Sequence, residues 1–81
     1  IVMTNLEKYK GVFIDVFNVS EDVLNGEFTK DNVDGWDSIK QLALSSSLEE
    51  EFDLLFDAED IIGLTSFQAG IEILRGNDVE I

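Results

Sequence analysis

Among the side chains that could carry chemistry, one serine stands in an unusual place. Ser38 follows Gly35-Trp36-Asp37 and opens a stretch of helical periodicity, where a helix has backbone N–H groups without intrahelical partners. Two uses fit that position. Ser38-Ile39-Lys40-Gln41 matches the capping-box pattern S-x-x-Q, in which the serine hydroxyl closes the helix start. Position alone favours that use. Asp37 can cap the same helix equally well, and the Ser38 hydroxyl is then free to point outward. A phosphate ester on it would lie at the positive end of the helix dipole, beside free N–H groups.

Other candidates fail on their own chemistry. Asn32-Val33-Asp34-Gly35 has the look of an EF-hand loop. Setting Gly35 at the loop's sixth position puts Lys30 at the first and Gln41 at the twelfth. Chelation requires carboxylates at both, so the segment is read as a turn. With 18 Asp and Glu, close acid pairs are inevitable, and Glu49-Glu50-Glu51 is one such run. Nothing marks a desolvated pair, and a chain of 81 residues leaves little room for a substrate cleft. Ser45, Ser46 and Ser47 read as small surface or packing residues within a helix. The chain has no Cys and no His. That removes disulfides, thiolate nucleophiles, His-based triads and imidazole metal ligands. The expectation is a protein that is not an enzyme.

Charge narrows the partners. Five Lys and Arg stand against 18 acids, a net charge of -13, with a pI near 4.1. Such a field repels nucleic-acid phosphates and anionic lipid. An apolar content of 44% is too high for a disordered acidic tail. No apolar run approaches a membrane span. Ile1 to Asn5 carry no basic region of a secretory signal, and Met3 can serve as a natural start. A monomeric, cytoplasmic, single-domain protein over residues 1–81 is expected. The charge is uneven: residues 1–30 are net -2 and residues 31–81 net -11.

The elements that must position Ser38 can be read from periodicity. Thr4 to Phe17 predicts a helix, with Leu6, Tyr9, Val12, Phe13, Val16 and Phe17 on one face and Thr4 or Asn5 as cap. Val19 to Trp36 reads as a long loop with a helical turn near Glu21 to Leu24, pinned by Val23, Leu24, Phe28 and Val33. Asp37 to Phe52 predicts the second helix. Leu44, Leu48, Phe52 and Leu55 form its buried stripe. Ile39, Leu42, Ala43 and Ser46 lie roughly opposite and run into Glu49, Glu50 and Asp53, an apolar strip flanked by acid that suits a basic partner. Asp57 to Ile62 reads as a short helix ended by Gly63. Thr65 to Leu74 predicts the last, capped by Thr65 or Ser66 and ended by Gly76. The tail Asn77 to Ile81 is expected to fray. The sum is all-α: three main helices and one short one.

Asp37-Ser38-Ile39, then Leu44, Leu48 and Glu49-Glu50-Glu51-Phe52, then Asp57 and Asp60-Ile61, together resemble an acyl carrier protein. The likeness spans nearly the whole chain. Trp36-Asp37-Ser38 looks like stand-alone carriers of specialised pathways rather than the main fatty-acid carrier. The resemblance implies a small four-helix acyl-carrier-like bundle with a long loop between helices one and two. It implies that a phosphopantetheinyl transferase moves phosphopantetheine from coenzyme A onto Ser38, whose distal thiol then holds an acyl or aminoacyl thioester. A protein without Cys would thus borrow its working thiol. The resemblance further implies that Asp37 caps the helix and helps position the transferase. Ile39, Leu42 and Ala43 match apolar docking positions, and Glu49 and Glu50 acidic ones, for activating and transferring enzymes with basic patches.

Ser45-Ser46-Ser47 departs from the family's pattern, where larger apolar residues are common. It removes a greasy contact at Ser46 and points to other partners than the usual fatty-acid synthase enzymes, or to a smaller or more polar cargo cavity. Fatty acyl, aminoacyl (D-alanyl included) and polyketide cargo all remain open. The competing reading is an unmodified acidic helical interaction module in which Ser38 is a plain helix cap.

Overall fold

The computed structural model describes residues 2–81. They form a small all-α bundle of four helices: α1 (Asn5–Phe17), α2 (Ser38–Phe52), α3 (Ala58–Gly63) and α4 (Phe67–Gly76). One 3-10 turn, Glu21–Val23, interrupts the connection between α1 and α2. No helix among the described residues is long and apolar enough to cross a membrane.

Each helix begins where a side-chain oxygen takes up a free N–H. Thr4 forms a reciprocal capping box with Glu7: Thr4 Oγ1 accepts from the Glu7 N–H at 3.1 Å, and Glu7 Oε1 accepts from the Thr4 N–H at 3.0 Å. The Thr4 N–H also holds the Glu7 carboxyl below its usual pKa. Asp37, Asp57 and Ser66 cap α2, α3 and α4. Each such cap stabilises its helix by about 1 kcal/mol. The ends are set differently. α1 and α2 stop at left-handed residues that are not glycine, Asn18 (φ 55°) and Asp53 (φ 52°), a conformation that Asn and Asp tolerate better than other side chains.

The core is built largely from rings. Phe13 on α1 packs against Tyr9, Phe28 and Phe67 with centroids 4.9, 5.7 and 5.2 Å away, and Phe17 meets Trp36 at 4.8 Å with the rings tilted by 51°. Leu44 and Leu48 of α2 and Leu74 of α4 are fully buried beside them. Tyr9 reaches across to α4 and donates its hydroxyl to the Phe67 carbonyl at 2.6 Å. Gly70 leaves the space for that ring: a Cβ there would overlap Tyr9 Oη and come within 3.0 Å of Tyr9 Cζ and Leu64 Cδ1. The loop is stitched to the start of α4 by two main-chain bonds, Lys30 N–H to Thr65 O at 2.8 Å and Phe67 N–H to Phe28 O at 2.9 Å.

Four expectations need correction. Leu55 does not continue the α2 stripe: Asp53 turns the chain out of the helix, and Leu55 is 85% exposed. Leu6 and Val23 are exposed, while Trp36, which periodicity left outside the core, is 5% exposed and anchors the loop beside Leu24 and Phe28. The last helix begins two residues later than Thr65, at Phe67, and Gly76 is its final residue rather than its stop. The tail does not fray. Val79 N–H donates to Leu74 O at 3.0 Å, and Val79 and Ile81 pack on the core. Asn5 Nδ2 donates to Glu80 O at 2.8 Å, and Arg75 Nε to Ile81 O at 2.9 Å.

Candidate functional site at the head of helix α2

Ser38 is the first residue of α2 and is exposed. The cap is Asp37, whose Oδ1 accepts from the Lys40 N–H at 2.9 Å. The Asp37 carbonyl accepts the Gln41 N–H, also at 2.9 Å. Ser38 Oγ has no hydrogen-bond partner among the described residues. The capping-box assignment for Ser38 and Gln41 is therefore overturned. A carboxylate one residue earlier does the capping, and the Gln41 side chain turns elsewhere.

Neighbouring side chains hold this hydroxyl's backbone in place. Gly35 supplies the left-handed turn (φ 84°) that brings the chain to the helix start. Trp36 follows it, buried among the rings of α1 and the loop. Its indole N–H donates to Gln41 Oε1 at 2.6 Å, while Gln41 Nε2 donates to the carbonyls of Ile61 and Leu64, both at 2.7 Å. Lys40 Nζ folds back onto the Val16 carbonyl at 2.8 Å, where a cation complements the C-terminal end of α1. The result is an unengaged primary alcohol on fixed backbone, at a helix N-terminus.

The EF-hand-like segment is used as a turn. The Asn32 N–H donates to Thr29 O at 3.1 Å, and Asn32 Nδ2 to Glu27 O at 3.0 Å.

Below Ser38, α2 presents the expected strip to solvent. Ile39 is 77% exposed and Leu42 62%; Ala43, Ser46 and Glu50 are exposed with them. Glu49 is not a free surface acid. It is half-buried, and its Oε2 accepts the Phe56 N–H at 2.8 Å, clasping the turn that leaves α2. Glu49 and Glu50 share an open depression with Ser46, Asp53, Leu54 and Leu55. Ser45 points the other way; it is buried and donates to the Leu42 carbonyl at 3.1 Å. The triple serine is thus one packing residue, one exposed residue and one half-buried residue. Sequence reasoning passed over Gln41 as a structural hub. An amide five residues after a tryptophan carries no signal of its own until α3 is known to end beside it. Ile62 on α3 is also exposed, an apolar side chain that periodicity did not single out.

No family model matches this chain, and neither a curated protein nor a solved structure matches it significantly.

Proposed function

We propose that the chain is an acyl carrier protein that bears phosphopantetheine on Ser38. The observation that carries this reading is the division of labour at the head of α2: Asp37 caps, and the Ser38 hydroxyl is left exposed and unbonded. The local chemistry fits a phosphodiester. Asp37 takes the Lys40 N–H, and the preceding N–H groups of the first turn have no intrahelical partners, so they remain to face an anion at the positive end of the helix. Lys40, folded onto α1, leaves the hydroxyl unobstructed from that side. When attached, the group supplies a terminal thiol for an acyl or aminoacyl thioester. Ser38 contributes the attachment oxygen, and Asp37 keeps the helix end that presents it.

The exposed strip of Ile39, Leu42 and Ala43, with Glu50 beside it, serves as the docking face for a phosphopantetheinyl transferase and for enzymes that load and unload the carrier. Those partners carry basic patches, so encounters are fast, weak and salt-sensitive. Nucleic acid is not a partner in this reading, and the location is cytoplasmic. The unmodified interaction module draws less support, because the cap that would explain Ser38 is provided by Asp37.

Mass spectrometry after incubation with coenzyme A and a broad-range transferase tests the proposal. The expected result is a gain of one phosphopantetheine group, abolished by Ser38→Ala. No gain with several transferases would sink it.

A further inference from the structure

We infer that Gln41 is a positioning residue that couples α3 to the segment leading into Ser38. Its side-chain amide is committed in two directions. Oε1 accepts from Trp36, two residues before Ser38, and Nε2 donates to the Ile61 and Leu64 carbonyls at the end of α3. α3 buries no side chain within its own span. It hangs between Phe56 and Leu64, which are buried on either side of it, with Ile61 packed partly on the core. The two bonds from Nε2 tie the end of α3 to α2, while Asn77 Nδ2, donating to Asp60 Oδ2 at 3.2 Å, ties α3 to the end of α4. Low burial and few anchoring contacts mark the parts of a fold that open first.

The coupling follows from the geometry of a primary amide. Its oxygen and nitrogen lie on one rigid plane, so Nε2 and Oε1 cannot reorient independently. If α3 moves away, Nε2 loses both acceptors, and nothing then fixes the plane that holds Oε1 toward Trp36. The indole N–H is part-buried, and leaving it unpaired costs more than the bond itself contributes. Displacement of α3 is thus transmitted to Trp36, and through Asp37 to Ser38. The consequence for loading rests on the reading of Ser38 as an attachment point: a cargo or enzyme that shifts α3 alters how the attachment segment is held.

The test uses the unmodified protein, whose single Trp reports directly. Gln41→Glu keeps an oxygen for Trp36 and removes the donor to α3; Gln41→Met removes both at similar volume. In both variants, hydrogen exchange at the Ile61 and Leu64 amides should accelerate roughly tenfold or more, as expected for losing two hydrogen bonds, with α1 amides nearly unchanged. Trp36 emission should shift from the wild type in both variants, since in Gln41→Glu the retained oxygen is no longer held in plane by α3. Uniform acceleration in all helices, no acceleration, or wild-type emission in Gln41→Glu despite faster exchange in α3 would overturn the coupling. If Gln41→Met does not fold, Gln41→Glu alone decides through its exchange pattern and its emission. With coenzyme A and transferase, both variants should be modified several-fold more slowly than the wild type, by the loss of the same bonds. A wild-type protein that is never modified would defeat the Ser38 reading, while exchange and emission would still decide the role of Gln41.

Discussion

Glu49 is the residue at which docking and folding can be separated. Its Oε2 accepts the Phe56 N–H at 2.8 Å, and its main-chain oxygen accepts the N–H groups of Asp53 and Leu54. Glu49→Lys removes the side-chain acceptor and reverses a charge. A hydrogen bond to an ionised group contributes about 1.5–3 kcal/mol. Glu49 is half-buried, so the lower figure applies, and an unpaired Phe56 N–H adds about 1 kcal/mol. The expected loss is about 2.5 kcal/mol, a fall in Tm of roughly 10–20 °C for a domain of this size. Glu49→Gln keeps an oxygen acceptor and should lose about 1 kcal/mol. Glu50→Lys, at an exposed position, should stay within about 0.5 kcal/mol of wild type yet slow modification by roughly tenfold at low salt. That deficit should collapse near 1 M salt, where the Debye length is about 3 Å. Thermal melts and initial rates of phosphopantetheine transfer at two ionic strengths provide both readings. A Glu49→Lys protein that melts with the wild type refutes the role of the clasp. A Glu50→Lys protein with an unchanged rate at low salt refutes the docking face.

Gly70→Ala should destabilise by about 2–4 kcal/mol in chemical denaturation: about 1 kcal/mol of helix propensity is gained, against overpacking and loss of the buried Tyr9 hydroxyl bond. Combined with Tyr9→Phe the costs should fall short of their sum, because removing Oη relieves the nearest contact. Burial pushes the Tyr9 phenol well above its ordinary value near 10. The folded state therefore keeps a proton that the unfolded chain releases, so stability is intact below pH 10 and declines as pH rises above it. Urea midpoints through that range should fall less steeply in Tyr9→Phe.

What the sequence disclosed depended on whether a residue's job was local. Thr4, one of two caps the sequence offers for α1, does cap it, and the Tyr9-Val12-Phe13 face and the Leu44-Leu48 stripe, repeats of three and four, lie where their spacing places them. The end of α2 was not legible. Asp53 terminates it in a left-handed conformation without Gly or Pro to announce the stop, so the periodicity ran on to Leu55. Trp36 stood as a motif residue beside Ser38; its burial depends on rings from α1 and the loop that converge only in three dimensions. Glu49 and Gln41 had plausible surface or capping roles by spacing, and both proved to be fastened to segments on the far side of α2. Val79 and Ile81 gave a faint signal, two apolar residues in a tail expected to fray, and both pack on the core.

The connection between α1 and α2 sets a boundary on how this chain can vary. It delivers Leu24, Phe28 and Trp36 to the interior, and its backbone ties down the start of α4. Loops usually absorb insertions and deletions without harm, but this one carries three buried anchors among its exposed residues. Freedom to diverge lies in the exposed stretches between the anchors, Ser20 to Val23, Asn25 to Glu27 and Lys30 to Asn32. A lengthening within any of these stretches leaves the three anchors in place, whereas a deletion between Phe28 and Trp36 draws the head of α2 out of position together with the rings. Diversification at this end of the molecule must therefore proceed by side-chain exchange or insertion in the exposed stretches rather than by shortening the loop.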